Sequence, residues 1–591
     1  MRVSSSDPSD IVYDRRVAMK FCRFAGGWWS GATARQAWFF SIALAALIIG
    51  NIGLNVAVNA WNRMFFDALE KREAGTLGTA VLIFAGLVVV VAGIGVLIVV
   101  TRETLQVRWR EWLVGRLIGT WLDRKRYYRL GLARNEPANP EYRIADDSRM
   151  ATEPVVDFAI GLLNALLTAL AFVGILWTVG GSLTVAVGGT QVTIPAYMML
   201  AALIYGVAAS WLMLRVGRPL VPGVAAKNEA EAKLRFELTR LRENAESIAL
   251  IRGERDERAI LDRTYANLVT RWLNVVRLHG RLTWITNASG ALIPVVPLLL
   301  ATPKYLSGEL SLGAVTQLAA AFFQVQIAFA WLVDNYKPVA QWYASARRVT
   351  AIVEAVEELE DSFARGGIAV AEGERLELEG LTVTDRAGRV LIADAHLAIN
   401  PGEKVLIMGE SGIGKSTLVR AVAGLWPWGR GLVSMPAGAE LAFVPQRPYL
   451  PLGALRQVLL YPAVDLPIQD EAVVAVLGEC GLGHLASRLD EVERWDQILS
   501  SGERQRLALA RLILQKPAVV IMDEATSALD EASQARLMTM LTRELPDTTL
   551  ISIGHRPGLE AHHDRVLRLV RTEAGARLIG EAAPEPLRAT A

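Results

Sequence analysis

The chain has 591 residues, 52% of them hydrophobic, and its 62 basic and 60 acidic residues nearly cancel. This length and apolar content exclude a single water-soluble domain, and the balanced charge disfavours nucleic-acid binding, which needs a basic surface. The two cysteines, Cys22 and Cys480, are far apart and fall in segments expected in the reducing cytosol, so no disulfide framework is expected.

The N-terminal segment, residues 1–35, contains six Lys or Arg residues and no continuous apolar run. A secretory signal needs such a run after its basic start, so a cleaved signal is not expected. We interpret 1–35 as a cytosolic N-terminal segment.

Five charge-free stretches follow, and about 20 apolar residues suffice for one membrane-spanning helix. The third stretch is long enough for two helices, and a Gly-rich run at 180–190 followed by Pro195 divides it. The sequence therefore predicts an all-α, six-helix transmembrane domain over 36–340. The charge-free stretches are 36–62, 74–101, 158–214, 282–303 and 310–333.

The basic residues between these stretches predict the orientation. Segments 102–157 and 215–281 contain eleven and fourteen Lys or Arg residues, whereas the loops 63–73 and 304–309 contain three and one. Basic loops stay in the cytosol, so both termini are expected there. We expect 102–157 and 215–281 to be cytosolic helical extensions of the transmembrane domain.

Polar residues within the predicted spans are candidates for a substrate path. The asparagines of the first span fall within about 80° of one another on a helical wheel. Such a stripe must face protein or a wet cavity, so it either forms interhelical hydrogen bonds or lines a water-filled path. Two glutamines on the last span favour the path slightly. The candidates are Asn51, Asn55, Asn59, Asn62, Gln317 and Gln324.

From about residue 371 the pattern changes to short β-rich runs that alternate with helical stretches, which is typical of an α/β domain. We assign 341–370 to a linker, 371–575 to a nucleotide-binding domain and 576–591 to a flexible tail.

A phosphate-binding loop follows the strand-like run 404–408 and matches G-x-x-x-x-G-K-[ST] in full. Its glycines let backbone N–H groups converge on phosphates, Lys415 adds charge, and the Ser416 hydroxyl is a candidate Mg²⁺ ligand. The predicted ATP-binding residues here are Gly409, Glu410, Ser411, Gly412, Ile413, Gly414, Lys415, Ser416 and Thr417.

A second acidic motif supports nucleotide hydrolysis. Residues 519–524 form an apolar run that ends in Asp523 and Glu524. In this arrangement the first carboxylate holds Mg²⁺ through water, and the second polarises the attacking water. The sequence therefore predicts Asp523 as a metal residue and Glu524 as the catalytic base.

The run Leu499-Ser-Ser-Gly-Glu503, followed by an apolar helical stretch, contains a capping-box pattern when considered alone. Together with the phosphate loop and the acidic motif, it resembles the signature LSGGQ of the ATP-binding cassette family. It departs from that signature at Ser501 and Glu503. Ser500 and Gly502, which the resemblance places against the γ-phosphate, are retained.

The resemblance implies roles for three further residues. Gln446 corresponds to the Q-loop glutamine that contacts Mg²⁺, Asp530 to the D-loop aspartate at the ATP site, and His555 to the catalytic switch histidine. In this family one chain's signature completes another's ATP site, so the resemblance implies a homodimer with twelve spans that uses ATP and Mg²⁺. The family's adenine-stacking aromatic is missing near Thr384 and Asp385, so the adenine must be held by other contacts.

The membrane half resembles the SbmA/BacA-like transporter domain through runs such as 54–69, 139–147 and 242–249. That group includes importers of vitamin B12, bleomycin and antimicrobial peptides, and the peroxisomal fatty-acyl half-transporters. The resemblance implies an exporter-type fold in a bacterial inner membrane and ATP-driven import of a bulky hydrophilic or amphipathic solute, such as cobalamin or a peptide antibiotic. Export of lipid, fatty-acyl or drug molecules is the alternative, and a membrane-tethered regulatory ATPase is a weaker one.

Overall fold

A computed structural model describes residues 15–132, 139–187, 190–364 and 367–581. The chain divides into two compact units. The first contains residues 1–123 and 137–354, and the second contains 124–136 and 355–591.

The first unit is built from long helices because its apolar runs are free of charged residues. Within the described residues, six helical segments are long and apolar enough to cross a membrane, which confirms the predicted number of spans. The 49-residue α3 continues without a break from the apolar stretch into the charged segment after residue 102. The helices are α1 Arg15–Ala25, α2 Ala34–Glu70, α3 Ala74–Leu122, α4 Arg126–Gly131, α5 Pro140–Tyr142, α6 Ser148–Gly180, α7 Tyr197–Gly217, α8 Leu220–Glu243, α9 Ala245–Ile251, α10 Glu254–Leu292, α11 Val295–Leu306, α12 Leu312–Asp334 and α13 Tyr336–Ala364.

The connection between α6 and α7 differs from the predicted loop. It forms an antiparallel hairpin of β1 Leu183–Val187 and β2 Thr190–Ile194. The sequence contains the signal for it, since β-branched residues flank a Gly-Gly pair at 188–189. The Gly-rich interruption alone predicts a break between helices and does not predict the strands on either side of it.

The second unit is built on a ten-stranded sheet in the order β3-β7-β4-β5-β14-β13-β6-β12-β11-β8. Strands β8, β11, β12, β6 and β13 run parallel, whereas β4 pairs antiparallel with both β5 and β7. Strands β9 and β10 form a separate antiparallel pair outside this sheet. The strands of the unit are β3 Ala369–Gly373, β4 Leu376–Thr384, β5 Val390–Ile399, β6 Lys404–Gly409, β7 Gly429–Pro436, β8 Leu441–Val444, β9 Gly453–Ala454, β10 Val492–Glu493, β11 Val519–Asp523, β12 Thr549–Ile553, β13 Arg565–Thr572 and β14 Gly575–Glu581. The helices are α14 Lys415–Val422, α15 Leu455–Leu460, α16 Asp470–Glu479, α17 Trp495–Ile498, α18 Ser501–Gln515 and α19 Glu531–Glu544.

Two apolar clusters hold this unit together. One packs α14 against β4, β5, β6, β11 and β12, and the other packs α15, α16, α18 and α19 against the opposite side of the parallel strands. Parallel strands buried on both faces consist of nearly continuous apolar residues, as the buried run Val519-Val-Ile-Met522 of β11 does. The packing fixes the carboxyl ends of β6, β11 and β12, which is where the site lies.

The C-terminal boundary requires a correction. Residues 576–581 were assigned to a flexible tail, but they belong to β14, which pairs antiparallel with β13 from Val566 to Thr572. The run Ala576-Arg-Leu-Ile-Gly580 is too short, and its apolar and polar residues alternate too little, for the sequence to distinguish a strand from a tail. Residues 582–591 of the assigned tail, and residues 1–14 of the N-terminal segment, lie outside the described residues.

The two cysteines are free thiols. Cys22 is exposed on α1, whereas Cys480 is buried in the cluster around α16. Burial raises the pKa of the Cys480 thiol to about 12, so it remains protonated and unreactive at neutral pH.

Candidate functional site

The phosphate loop connects the end of β6 to the start of α14. Gly409 is the last residue of β6, and a Cβ atom there would lie 2.9 Å from the carbonyl oxygen of Leu569. Gly414 immediately precedes α14 and has a φ of +112°, a conformation open mainly to glycine. These glycines allow the backbone to wrap closely around a phosphate at the helix N-terminus.

Lys415 is directed back across this loop. Its Nζ donates hydrogen bonds to the carbonyl oxygens of Gly409 at 2.7 Å and Glu410 at 2.9 Å. The side chain is buried although it is a lysine. An ammonium group held inside a loop of backbone N–H groups provides a localised positive charge suited to the β- and γ-phosphates of a nucleotide.

Ser416 and Asp523 form a candidate metal site. The Ser416 hydroxyl lies near enough to the Asp523 carboxylate to affect its pKa, so the first turn of α14 and the end of β11 meet here. Burial raises the pKa of Asp523, the Ser416 hydroxyl opposes that shift, and the charge of Glu524 adds to it. No cluster of three or more His, Cys, Asp or Glu residues occurs in the described part of the chain. Two oxygen ligands fit Mg²⁺, which takes most of its shell from water and phosphate.

Three residues predicted from distant motifs meet at the end of β11. Gln446 Nε2 donates to Glu524 Oε2 at 2.9 Å, and His555 Nδ1 lies 3.2 Å from Glu524 Oε1. The Glu524 side chain is 25% exposed and the His555 side chain 64%, so a water molecule can reach both. The tertiary structure thus brings Gln446 and His555 to the two carboxylate oxygens of Glu524.

The backbone of Glu524 adopts a strained conformation. Its φ of 49° lies in the left-handed region, which is unfavourable for a residue with a side chain. The Glu524 N–H donates to the Ile553 carbonyl oxygen at 2.9 Å, which holds the turn in place. Strain of about 1–3 kcal/mol of this kind persists where the surrounding structure enforces it, often at functional sites.

Ser500 is the N-cap of α18 and forms the capping box that its sequence pattern allowed. Its hydroxyl donates to Glu503 Oε2 at 2.7 Å, and its backbone N–H donates to the same oxygen at 2.9 Å. The hydrogen bonds from Ser500 lower the pKa of Glu503. Gly502 lies in the first turn, so Ser500 and Gly502 share a helix N-terminus suited to an anion.

Gln505 and Arg556 are two connecting residues that the sequence analysis missed. The buried Gln505 donates to the Gln446 carbonyl oxygen at 3.0 Å and accepts from the Ala528 N–H at 2.9 Å. It therefore links the loop of Gln446 to the loop before α19. Arg556, next to His555, donates to the carbonyl oxygens of Ser527 and Leu529. Gln505 lies on the face of α18 whose other buried residues are mostly Leu and Ala. A polar residue on such a face was the sequence signal that could have identified Gln505.

Asp530 caps α19. Its Oδ1 accepts a hydrogen bond from the Ser533 N–H at 2.8 Å, and this bond lowers the pKa of Asp530.

Thr384, near which the family's adenine-stacking aromatic is missing, forms hydrogen bonds with residues from elsewhere in the sequence. Trp426 Nε1 donates to the Thr384 carbonyl oxygen at 2.9 Å, and the Thr384 N–H donates to the Trp428 carbonyl oxygen at 3.1 Å. Two tryptophans therefore adjoin the place where no upstream aromatic was found.

The polar residues of the spans occupy different environments. Asn59 on α2 is buried and donates through Nδ2 to the Gln317 carbonyl oxygen on α12 at 3.1 Å. At Asn59 the polar stripe therefore forms an interhelical hydrogen bond, which is the first of the two alternatives for this stripe. Asn51, Asn55, Asn62 and Gln324 are partly exposed. Gln326, which the sequence analysis did not select, is buried and donates to the Ala202 carbonyl oxygen of α7 at 2.9 Å.

A cavity of about 190 Å³ lies among α7, α10 and α12. Its walls are predominantly apolar, with polar groups from Tyr205, Ser289 and Gln326, and Asp334 lies at its edge. The Tyr205 hydroxyl is hydrogen-bonded to Ser289, which lies on α10. None of the six predicted path residues lines this cavity.

His563 predicts an acid-sensitive stability. It is buried, with Nε2 2.7 Å from Ser552 Oγ, and burial lowers its pKa; the pKa of His562 is lowered in the same direction. The unfolded chain therefore binds more protons than the native chain as pH falls below about 6.5. This contribution to stability is complete above pH 6.5 and is lost as pH falls through the lowered folded pKa.

We expect the melting temperature of the full chain in detergent to fall between pH 7.5 and pH 5.5. His563→Gln should reduce that fall, whereas the change at an exposed histidine of α10, His279→Gln, should leave it unchanged. Thermal unfolding at several pH values measures this effect. Equal pH dependence in the wild type and His563→Gln would reject the role of His563.

The fold and the site define a class: a P-loop ATPase unit joined to a membrane unit with six candidate spans. The sequence profile of "ABC transporter transmembrane region 2" matches residues 30–306, and that of "ABC transporter" matches residues 392–527. A relative from Synechocystis, an uncharacterized ABC transporter ATP-binding protein, is 34% identical over 90% of this chain and 80% of its own length. The chain belongs to the ABC transporter family.

Other relatives extend the comparison. The inner membrane ABC transporter ATP-binding protein YddA of Escherichia coli is 29% identical over 92% of this chain and 96% of its own length. The chloroplastic ABC transporter D family member 2 of Arabidopsis thaliana is 28% identical over 93% and 86%. A bacterial Atm1-family ABC exporter with ATP bound superimposes with a TM-score of 0.65 at 18% identity, covering 91% of this chain and 94% of the exporter chain. This likeness confirms the exporter-type fold predicted from the sequence.

Proposed function

We propose that this protein is a homodimeric transporter that hydrolyses ATP to import a bulky amphipathic or hydrophilic solute across a bacterial inner membrane, with both termini and the ATPase unit in the cytosol. The observation that carries the proposal is the group Gln446, Glu524 and His555 beside the phosphate loop, in a chain with six candidate spans. The name of the E. coli relative supports the inner-membrane location.

Each residue of the site has a defined task in hydrolysis. The phosphate loop and Lys415 hold the triphosphate, and Ser416, Asp523 and Gln446 hold Mg²⁺, which screens the phosphate charges when bound. Glu524 accepts a proton from the water that attacks the γ-phosphate. Gln446 orients the Glu524 carboxylate through a hydrogen bond to one oxygen, and His555 does so through its contact with the other oxygen.

The position of the signature supports a dimer. Ser500 and Gly502 form an anion-binding helix N-terminus, yet in this chain Ser500 bonds to Glu503 within its own helix. We propose that the γ-phosphate bound by one chain contacts Ser500, Gly502 and the Asp530 loop of a second chain. Closure of two such sites would then drive the membrane units between two arrangements.

The cavity among α7, α10 and α12 supports an amphipathic solute. Its volume of about 190 Å³ can hold one apolar group of a larger molecule, and Asp334 at its edge suits a cationic or hydrogen-bonding group. We propose this cavity as a subsite beside the path residues Asn51, Asn55, Asn62 and Gln324. Cobalamin and peptide antibiotics are the solutes to test first.

Export of lipid, fatty-acyl or drug molecules is the second candidate, and the mainly apolar wall of the same cavity favours it. Vesicles of both orientations distinguish the two directions. Import predicts ATP-dependent accumulation of labelled cobalamin or a proline-rich peptide in right-side-out vesicles. Export predicts accumulation of a fluorescent acyl lipid in inside-out vesicles.

The inactive Glu524→Gln chain serves as the control in both assays. Equal accumulation in the wild type and this variant, for every solute and orientation, would reject ATP-driven transport of these solutes. Solute-independent ATP hydrolysis without flux would instead support a regulatory ATPase.

A further inference from the structure

A basic cavity of about 360 Å³ lies in the second unit, away from the phosphate loop residues. One side is formed by Arg124, Lys125 and Arg129, from the segment that contains α4. The other side includes Val370 of β3 and Trp426, which follows α14. The cavity therefore combines three cations with an apolar and aromatic wall.

Cations are numerous in the segment that forms one side of the cavity. Residues 123–131 contain four of them, at 124, 125, 126 and 129. Glu360 bonds to Arg126 and lies 3.9 Å from Arg124 Nη1. Burial, and then the charges of Arg124 and Arg126, lower the pKa of Arg129, so these guanidinium groups are near enough to repel one another. An anion in the cavity would reduce that repulsion.

The backbone presents these cations in an unusual conformation. Arg124 and Lys125 are consecutive residues with positive φ values of 51° and 60°. This left-handed conformation is unfavourable for a residue with a side chain. Two in succession turn the chain sharply between α3 and α4, at the point where both side chains line the cavity.

Contacts of α4 and Trp426 hold the two sides of the cavity in place. Arg129 Nη2 donates to the Gly424 carbonyl oxygen at 2.9 Å, just after α14. Trp426 bonds to Thr384 through its Nε1, and its ring packs edge-on against Trp428 at 5.1 Å. The cavity is thus bounded by fixed elements and does not depend on the exposed side chain of Arg124 alone.

We propose that this cavity binds a phosphorylated anion, with Arg124, Lys125 and Arg129 around its phosphoryl oxygens and Trp426 and Val370 against its apolar part. Guanidinium groups suit phosphate because they donate parallel hydrogen bonds to two oxygens. The ligand would secure α4 against the end of α14, so it would act on the ATPase unit without occupying the ATP site. The site is additional to the proposed transport function.

The test is made on the purified full chain in uncharged detergent, saturated with Mg²⁺ and a non-hydrolysable ATP analogue to fill the phosphate loop. Binding of radiolabelled pyrophosphate is measured by equilibrium dialysis. We expect one further site per chain, and at least tenfold weaker binding by Arg124→Glu/Lys125→Glu. The matched control is Lys516→Glu/Arg571→Glu, because both residues are exposed cations and Lys516 also has a positive φ of 47°. Its binding should equal that of the wild type.

A second probe separates the sources of the phosphoryl group. If dihexanoyl phosphatidic acid binds in a manner that depends on Arg124 and Lys125 and pyrophosphate does not, the ligand is a lipid headgroup. Binding of pyrophosphate indicates a free metabolite. An unchanged amount of bound ATP analogue shows that the variant is folded. Should the charge reversal fail this check, Arg124→Gln/Lys125→Gln replaces it, with at least threefold weakening expected. Binding of neither probe, or equal binding by all variants, would overturn the proposal.

Discussion

Replacement of Glu524 by glutamine is expected to lower ATP turnover by about 10²- to 10³-fold and to leave ATP binding intact, because a general base contributes about 10²–10⁴-fold and does not hold the nucleotide. Glutamine has the shape of glutamate but cannot accept the proton of the attacking water. Steady-state phosphate release measures the turnover, and equilibrium binding of Mg-ATP measures the retained affinity.

A neighbouring glutamate provides the control for this prediction. Glu531 is exposed in the first turn of α19, so Glu531→Gln removes the same charge from the same region. We expect turnover close to that of the wild type. Undiminished hydrolysis in Glu524→Gln would show that Glu524 is not the base, and loss of ATP binding would show that the carboxylate has a structural role instead.

Mixed dimers are expected to show that each ATP site is shared by two chains. Lys415→Ala removes the charge of the phosphate loop, and Gly502→Asp places a negative charge at the helix N-terminus that would meet the γ-phosphate. A Cβ atom at Gly502 would contact the Ala528 carbonyl oxygen at 3.4 Å, so the substitution fits the fold. Each variant alone should lose at least tenfold in turnover, because both sites of its dimer are damaged.

The combination of variants gives the decisive result. A dimer of one Lys415→Ala chain and one Gly502→Asp chain retains one intact site if the sites are shared, so up to about half of wild-type turnover should return. A dimer of the double variant with a wild-type chain has no intact shared site and should remain inactive. Two affinity tags, purified in sequence, isolate the mixed species. If only the second combination is active, each site lies within one chain and the shared-site proposal fails.

The local patterns of the chain predicted the main elements. Apolar runs of about 20 residues force helices in a membrane, and the six spans follow from their lengths. The phosphate loop is equally local, because its glycines, Lys415 and Ser416 lie within a few residues. Its strand-loop-helix context was predicted from the apolar residues on either side.

Other features could not be predicted locally. The ten-stranded order places β14 between β13, which precedes it directly in the chain, and β5, whose Ile392 pairs with Ala576 from far away in the sequence. Gln505 was overlooked because its partners, which include the Gln446 carbonyl and the Ala528 N–H, come from other loops. The cations of the α4 segment were assigned to a cytosolic extension, and only folding places them beside Val370 and Trp426.

The sequence by itself determined which residues can bind a triphosphate and which segments can span a membrane, because both depend on short-range spacing and composition. Only the tertiary structure decided that Gln446 and His555 contact the two carboxylate oxygens of Glu524, that Asn59 bonds to Gln317, and that the end of α14 faces a basic cavity. The physical reason is that side chains far apart in sequence meet when strands and helices pack, and the free energy of that packing depends on the whole buried surface. No single segment contains that information.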